Sequence, residues 1–279
     1  MRLFSDELSV AYRDYQARLR WFPSANETLS LLGFGAYDLL TRERDGSTQT
    51  LYGVTFHRLD ARYERVHSDG RAEAGVVLGW DRSAVRDGQA TVEDLSLRVR
   101  VRVEQQLEPG LVLKLGADAG HTRYSAELAR VDDPEARADL AQRYSGRSDS
   151  VAGAYAGLRV TLARGILVEP GVRADAYYSR WAWVVGVDPR VLAEFELTPA
   201  LTLVHGLGLA HQPPADPLPE PGIDPPLAGG LQTAVQSSAG VRWTLPKDLS
   251  LQATLFQSLL LHLSDSAGNA RLEQGESND

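Results

Sequence analysis

The feature that most constrains this chain is a two-residue alternation of apolar and polar side chains, sustained far longer than most soluble sheets require. The stretch Asp188 to Pro214 reads DPRVLAEFELTPALTLVHGLGLAHQPP. Pro189, Val191, Ala193, Phe195 and Leu197 fall on one face, with Asp188, Arg190, Glu194 and Glu196 on the other. After the turn Thr198-Pro199-Ala200, Leu201, Leu203, Leu207 and Leu209 alternate with Thr202, Gly206 and Gly208. The same rhythm places Tyr15, Ala17, Leu19 and Trp21 against Arg18 and Arg20, and Leu59, Ala61 and Tyr63 against Arg58, Asp60, Arg62 and Glu64. It places Leu97, Val99, Val101 and Val103 against Arg98, Arg100 and Arg102. Successive side chains of a strand point to opposite faces, so each set belongs to its own side of a sheet.

About twelve such strands of roughly 10–15 residues are expected, where globular strands run about 5–6. A strand that crosses a bilayer at a tilt needs about 9–11 residues. The connections alternate as well. Short ones are expected at Pro23–Glu27, His67–Gly70, Glu108–Gly110, Ala163–Gly165, Thr198–Ala200 and Pro246–Asp248. Long polar ones are expected at Leu39–Thr50, Arg82–Thr91, His121–Ser150, Arg180–Gly186 and Gln212–Gly230. Within the third, PEARADLAQRY reads as a short helix; the last holds seven prolines and reads as extended. Trp21 and Trp243 lie beside short turns, and Trp80, Tyr124, Tyr178 and Trp181 beside long loops. Short turns at one rim, long loops at the other and two aromatic girdles are the pattern of an outer-membrane barrel. The expectation is an all-β, antiparallel transmembrane β-barrel, with the apolar face toward lipid and the charged face toward a lumen. Residues 1–265 would form the barrel segment and 266–279 a polar loop or tail.

Composition narrows the rest. No window holds the ~18 apolar residues of a membrane helix, which does not argue against a barrel. Cysteine is absent, so neither disulfides nor thiol chemistry is expected. A net charge of -8 argues against a nucleic-acid partner. The start, MRLFSDELSV, carries Asp6 and Glu7 where an export signal needs an apolar run, so it is not read as one.

Catalytic signatures are not found: there is no G-x-S-x-G elbow, phosphate-binding glycine loop or H-E-x-x-H. The chain is therefore not expected to be an enzyme, and no cofactor or metal site is expected. His57, His67, His121, His205, His211 and His262 are scattered without ligand spacing. On one strand, His205 and His211 would stand roughly 20 Å apart, too far for one metal. A lipid-hydrolysing barrel would need a Ser-His-Asn set on its outer surface, and the nearest arrangement is His121 with Ser125. The candidate binding feature is the charged face. Arg98, Arg100 and Arg102 form one inward row, Arg18 and Arg20 another, and Arg58 with Arg62 a third, interleaved with Asp60 and Glu64. Guanidinium groups pair bidentately with carboxylates, so such rows suit an anionic ligand or a plug, or else neutralise one another.

The ordered strands also resemble a known family. YRDYQARLRW at Tyr12, LSLLGFGAYD at Leu29, YAGLRVTLARGILVEPGVRADAYY at Tyr155, the Asp188 stretch quoted above and SSAGVRWTLPKDLSLQATLF at Ser237 are similar to the barrel of TonB-dependent outer-membrane receptors. The resemblance covers nearly the whole chain. It implies part of a twenty-two-stranded barrel, larger than the strands seen here. It implies uptake of a metal chelate or other large nutrient across the outer membrane of a Gram-negative bacterium. It implies outer-membrane lipid and the barrel-assembly machinery as partners, and a plug domain and TonB acting through an N-terminal part that these strands do not contain. The alternatives are a stand-alone twelve-stranded porin or channel and, last, an outer-membrane barrel enzyme.

Overall fold

The computed structural model describes residues 8–44, 46–85, 90–128, 133–144, 146–214, 227–245, 249–261, 263–264 and 271–272. Twelve strands form one antiparallel meander. They are β1 (Leu8–Ser24), β2 (Glu27–Arg44), β3 (Ser47–His67), β4 (Gly70–Val85), β5 (Ala90–Glu108) and β6 (Leu111–Leu128). After the helix α1 (Pro134–Arg143) follow β7 (Arg147–Ala163), β8 (Ile166–Ser179), β9 (Ala182–Thr198), β10 (Leu201–Gln212), β11 (Gln232–Leu245) and β12 (Leu249–Leu261). Each strand pairs with its neighbours in sequence, and among the described residues no pairing joins β1 to β12. No described helix is long and apolar enough to cross a membrane. The turn expected at Pro246–Asp248, His262, the middle of the Gln212–Gly230 connection and most of the tail from 266 lie outside the described residues.

The sheet is a single layer with almost no core of its own. Leu19 is 64% exposed, Trp21 60% and Val101 51%. An unbroken row of register partners on that apolar face runs Trp21, Leu29, Tyr63, Ala74, Val101, Ala117, Ala154, Ala174, Val187. The apolar area is continuous over nine strands, more than a monomer in water normally exposes.

The same row measures the tilt. Trp21 lies three residues before the end of β1 at Ser24, whereas Val187 lies eleven before the end of β9 at Thr198. The stagger is eight residues over eight strand steps, or one residue per strand. With a rise of ~3.3 Å per residue and a spacing of ~4.8 Å between strands, this is a tilt of about 35°. Outer-membrane barrels tilt about 35–45°. On that tilt Trp21 and Trp243 share one level, and Trp80, Tyr178 and Trp183 stand roughly 25–33 Å above it. The gap matches the apolar band of about 25 Å between aromatic girdles.

The short-turn rim is stitched together. The carbonyls of Asn26, Asp69, Gly110, Gly165 and Ala200, one in each described short turn, accept bonds from the amides of Val66, Gln106, Thr161, Glu196 and Thr244 at 2.6–2.8 Å. Each hairpin is thereby tied to the next.

The other rim differs from expectation. Leu39–Thr50 and Arg82–Thr91 are mostly strand, because β2 continues to Arg44, β3 begins at Ser47, β4 continues to Val85 and β5 begins at Ala90. Polar residues do not interrupt a ladder where water bathes both faces. Arg180–Gly186 is no loop either. Arg180 and Trp181 (φ 49° and 67°) form a two-residue turn whose positive φ values match the twist of the flanking strands. Two long connections remain, between β6 and β7 and between β10 and β11. The first contains α1 as expected, with the Asp133 carboxylate accepting from the Glu135 amide at 2.9 Å. Tyr144, just past α1, is buried against Ala90 and Val92.

Candidate functional site

The charged face is the concave one. A cavity of about 700 Å³ opens on it, lined by Arg62, Arg98, Arg100 and Arg102 from β3 and β5 and by Asp118 and Tyr177 from β6 and β8. Pro213, Pro214 and Leu227, from the β10–β11 connection, reach into the same space.

Register places all seven sequence-predicted arginines on this face. Arg18, Leu32, Asp60, Val77 and Arg98 form one cross-strand row, and Arg20, Ser30, Arg62, Gly75 and Arg100 the next. Arg58 lies one row toward the long connections, opposite Gly79, and Arg102 one row toward the short turns, opposite Glu73. Their partners divide them into two groups. Arg62 holds Asp60 on its own strand, Nη2 to Oδ2 at 2.6 Å. Arg58 does not pair with Asp60. It crosses above Gly79 and grips Asp81 of β4 with both terminal nitrogens, at 2.5 and 2.6 Å. Arg18, Arg20, Arg98, Arg100 and Arg102 make no ion pair among the described residues. Direct ion pairs therefore hold the β3 arginines, whereas the β5 arginines stand near Asp118 and Glu73 without one. Beside the β5 arginines stand Val77, Gly75, Gly120 and Gly116, with Asp118 opposite Arg100 and Glu73 opposite Arg102, and all of these except Gly116 line the cavity with them.

A second feature of this face was not singled out from the sequence. Arg173 of β8 donates from Nη1 and Nη2 to Asp118 of β6, both at 2.9 Å. From Nε and Nη2 it donates to Asp175, at 2.6 and 2.5 Å. Its reach spans β7 at Gly153, where a Cβ would overlap Asp175 Oδ1 and Arg173 Nη2. Glycine on the charged face is the signal that marks such a crossing. Lys114 and Arg159 likewise share Glu169, at 2.6 and 2.9 Å.

The convex face carries polar groups of its own. Tyr15 Oη lies 2.7 Å from His57 Nδ1, and His57 stacks on Trp80 with centroids 5.3 Å apart. Gly35 lets the two meet, since a Cβ there would strike both rings. His121 pairs with Ser150, Nδ1 to Oγ at 2.9 Å, rather than with Ser125. Among the described residues no carboxylate or amide side chain orients the other nitrogen of His121. Tyr124 departs from its expected place in the girdle. Its row runs Phe56, Asp81, Asp94, Tyr124, Arg147 on the concave face, and Arg147 packs over its ring at 4.0 Å. His205 and His211 do not share a face. His211 bonds Asp188 at 2.5 Å beside Gly186, on the concave side.

This fold is that of an outer-membrane β-barrel. Solved structures that share it include the FrpB iron transporter of Neisseria meningitidis, at 13% identity and a TM-score of 0.69. The siderophore receptor PirA of Acinetobacter baumannii matches at 13% identity and 0.67, and the alcaligin outer-membrane receptor FauA of Bordetella pertussis at 12% and 0.67. Each match covers 91% of this chain, and this chain spans 45, 44 and 44% of theirs, less than half of each. No family model matches the sequence, and no curated protein does.

Proposed function

We propose that this chain is the barrel portion of a TonB-dependent receptor in the outer membrane of a Gram-negative bacterium, taking up a metal chelate or another large nutrient. The observation that carries the reading is a meander of twelve strands, tilted about 35°, that superposes on iron and siderophore receptors over 91% of its length while spanning less than half of theirs. In this reading the convex face meets lipid and the concave face meets the lumen. The free arginines of β1 and β5 seat an anionic ligand or the acidic surface of a plug, and TonB acts through that plug. The barrel-assembly machinery inserts the strands. Transport rather than catalysis is the reading the similar solved structures favour, since those named are transporters and receptors.

The edges β1 and β12 pair with further strands that close the barrel, because unpaired amides and carbonyls in hydrocarbon are costly. An antibody to residues 121–150 should therefore detect a product well above 30.5 kDa in outer-membrane fractions. A product confined to the soluble fraction would sink the membrane reading. The chain reconstituted alone in a planar bilayer is expected to give no steady conductance. A stable open pore would instead establish a self-contained channel.

A further inference from the structure

We propose that Asp94 is a proton-controlled latch. With its carboxyl protonated, the connection between β6 and β7 stays seated at the mouth of the arginine cavity, and loss of that proton frees the connection. The device is local to β3–β7, and it rests on the barrel reading only for what the mouth admits. The connection is seated at two points. Tyr144, just past α1, is buried against Ala90 and Val92 of β5, with Ala126 and Leu128 of β6 beside it. Arg147, at the start of β7, packs over the Tyr124 ring at 4.0 Å and donates to Asp149 at 2.9 Å. Tyr124 and Asp149 in turn help to line the arginine cavity.

Asp94 lies between the two seats. Ala90, Val92 and Asp94 are successive inward residues of β5, about 6.6 Å apart, so the Tyr144 pocket ends one inward position from the carboxyl. On the β6 side its register partner is Tyr124, under Arg147. On the β4 side its partner is Asp81. The two side chains are hydrogen-bonded, the protonated Asp94 carboxyl donating to Asp81. Arg58 of β3 is already committed to Asp81 through both terminal nitrogens. The titratable and charged groups around Asp94 are therefore Arg58, Asp81, Tyr124, Tyr144 and Arg147, with Asp149 behind the last.

Height places this group outside the membrane. Asp94 stands one residue beyond the level of Trp80, roughly 30 Å above Trp21, clear of the apolar band of about 25 Å. Burial first, and the facing Asp81 second, push its carboxyl up from 3.8 to about 6, against the pull of Arg58 and Arg147. A carboxyl that holds its proton more tightly when covered favours the covered state at low pH. Seating is therefore strongest below about pH 4 and weakens as the pH rises through about 6, where Asp94 ionises under its cover. Once ionised, Asp94 regains water when Tyr144 and Arg147 move off it. The gap between the two values caps the change in the seating equilibrium at roughly a hundredfold, and the half-buried position of Asp94 lowers it.

The test uses the full-length product in native outer-membrane fragments. Nitroxide labels go at A138C on α1 and Q49C on β3, both exposed positions, and pulsed dipolar spectroscopy reads the distance between them. A short distance is expected at about pH 4.5, and the ratio of long to short distances should rise at least tenfold by about pH 7.5. D94N carries no charge at either pH and should stay short throughout. Y144A should be long at both, because one seat is gone. D81N should move the midpoint to lower pH, since the facing charge is removed. Heat-shifted gel mobility reports folding of each variant. An unchanged distance in the otherwise wild-type product overturns the latch. So does a folded D94N that still responds to pH, or a Y144A that stays short. If D94N does not fold, an unmoved D81N midpoint overturns it instead. None of these outcomes touches the barrel reading, which fails separately if the product is found only in the soluble fraction.

Discussion

Replacing Arg173 by Met is expected to destabilise the folded sheet by about 2–4 kcal/mol, somewhat below the cost of breaking a fully buried ion pair. The side chain makes four charge-assisted bonds, two to Asp118 and two to Asp175. Met fills the space but donates nothing, leaving two carboxylates without their cation. The Asp175 side chain is only 5% exposed, so water cannot replace the lost donors there. The Asp118 and Arg173 side chains are 24% and 28% exposed, which keeps the loss below the fully buried figure. Urea unfolding of the vesicle-folded full-length product, followed by tryptophan fluorescence, reads the effect. Adding D118N and D175N to the variant should restore most of the loss, since neutral amides tolerate the missing cation. Gly153→Ala should cost clearly less on R173M than on wild type, because both changes break one contact network. An unchanged urea midpoint in R173M would mean that the clasp contributes nothing to stability.

The strands were legible because a period of two writes both faces into the chain. Tyr15 to Trp21, Leu97 to Val103 and the Asp188 stretch each declare their apolar side without reference to a partner. What depends on register was not legible. Arg58 stands two residues from Asp60 in the chain, yet it binds Asp81, because β4 brings Asp81 one row beyond Gly79. The Arg173 clasp joins residues 118, 153 and 175 across three strands, and only their alignment reveals it. Polar runs such as Thr41–Arg44 looked like loops, since sequence alone does not separate a solvated ladder from an irregular segment. The turn at Arg180–Trp181 was hidden for a chemical reason. Its positive φ values usually call for Asn or Gly, and neither occurs there. Alternation puts the arginine rows on one face, but which of them stay unpaired was visible only once their neighbours were known.

The second large effect follows from that distinction. Replacing Arg98, Arg100 and Arg102 together by Gln is expected to weaken binding of an anionic chelate such as ferric citrate at least tenfold, measured on the closed barrel by isothermal titration. A tenfold loss is about 1.4 kcal/mol, a modest demand on three guanidinium groups facing an open cavity. The dependence of affinity on salt should flatten, because screened charge is what the variant lacks. Binding of an uncharged chelate should not change. Stability should change little, because relief of repulsion within the row offsets the lost attraction to Asp118 and Glu73. Alternate residues of a strand are about 6.6 Å apart, and like charges at that spacing repel by roughly 0.6 kcal/mol even in bulk water. Arg58 and Arg62 supply the contrast: each already holds a carboxylate, so R58Q should cost stability through Asp81 while leaving chelate affinity nearly intact. If R58Q and the triple variant weakened binding equally, the concave face would act as a diffuse field of charge, and the β5 row would have no special part in it.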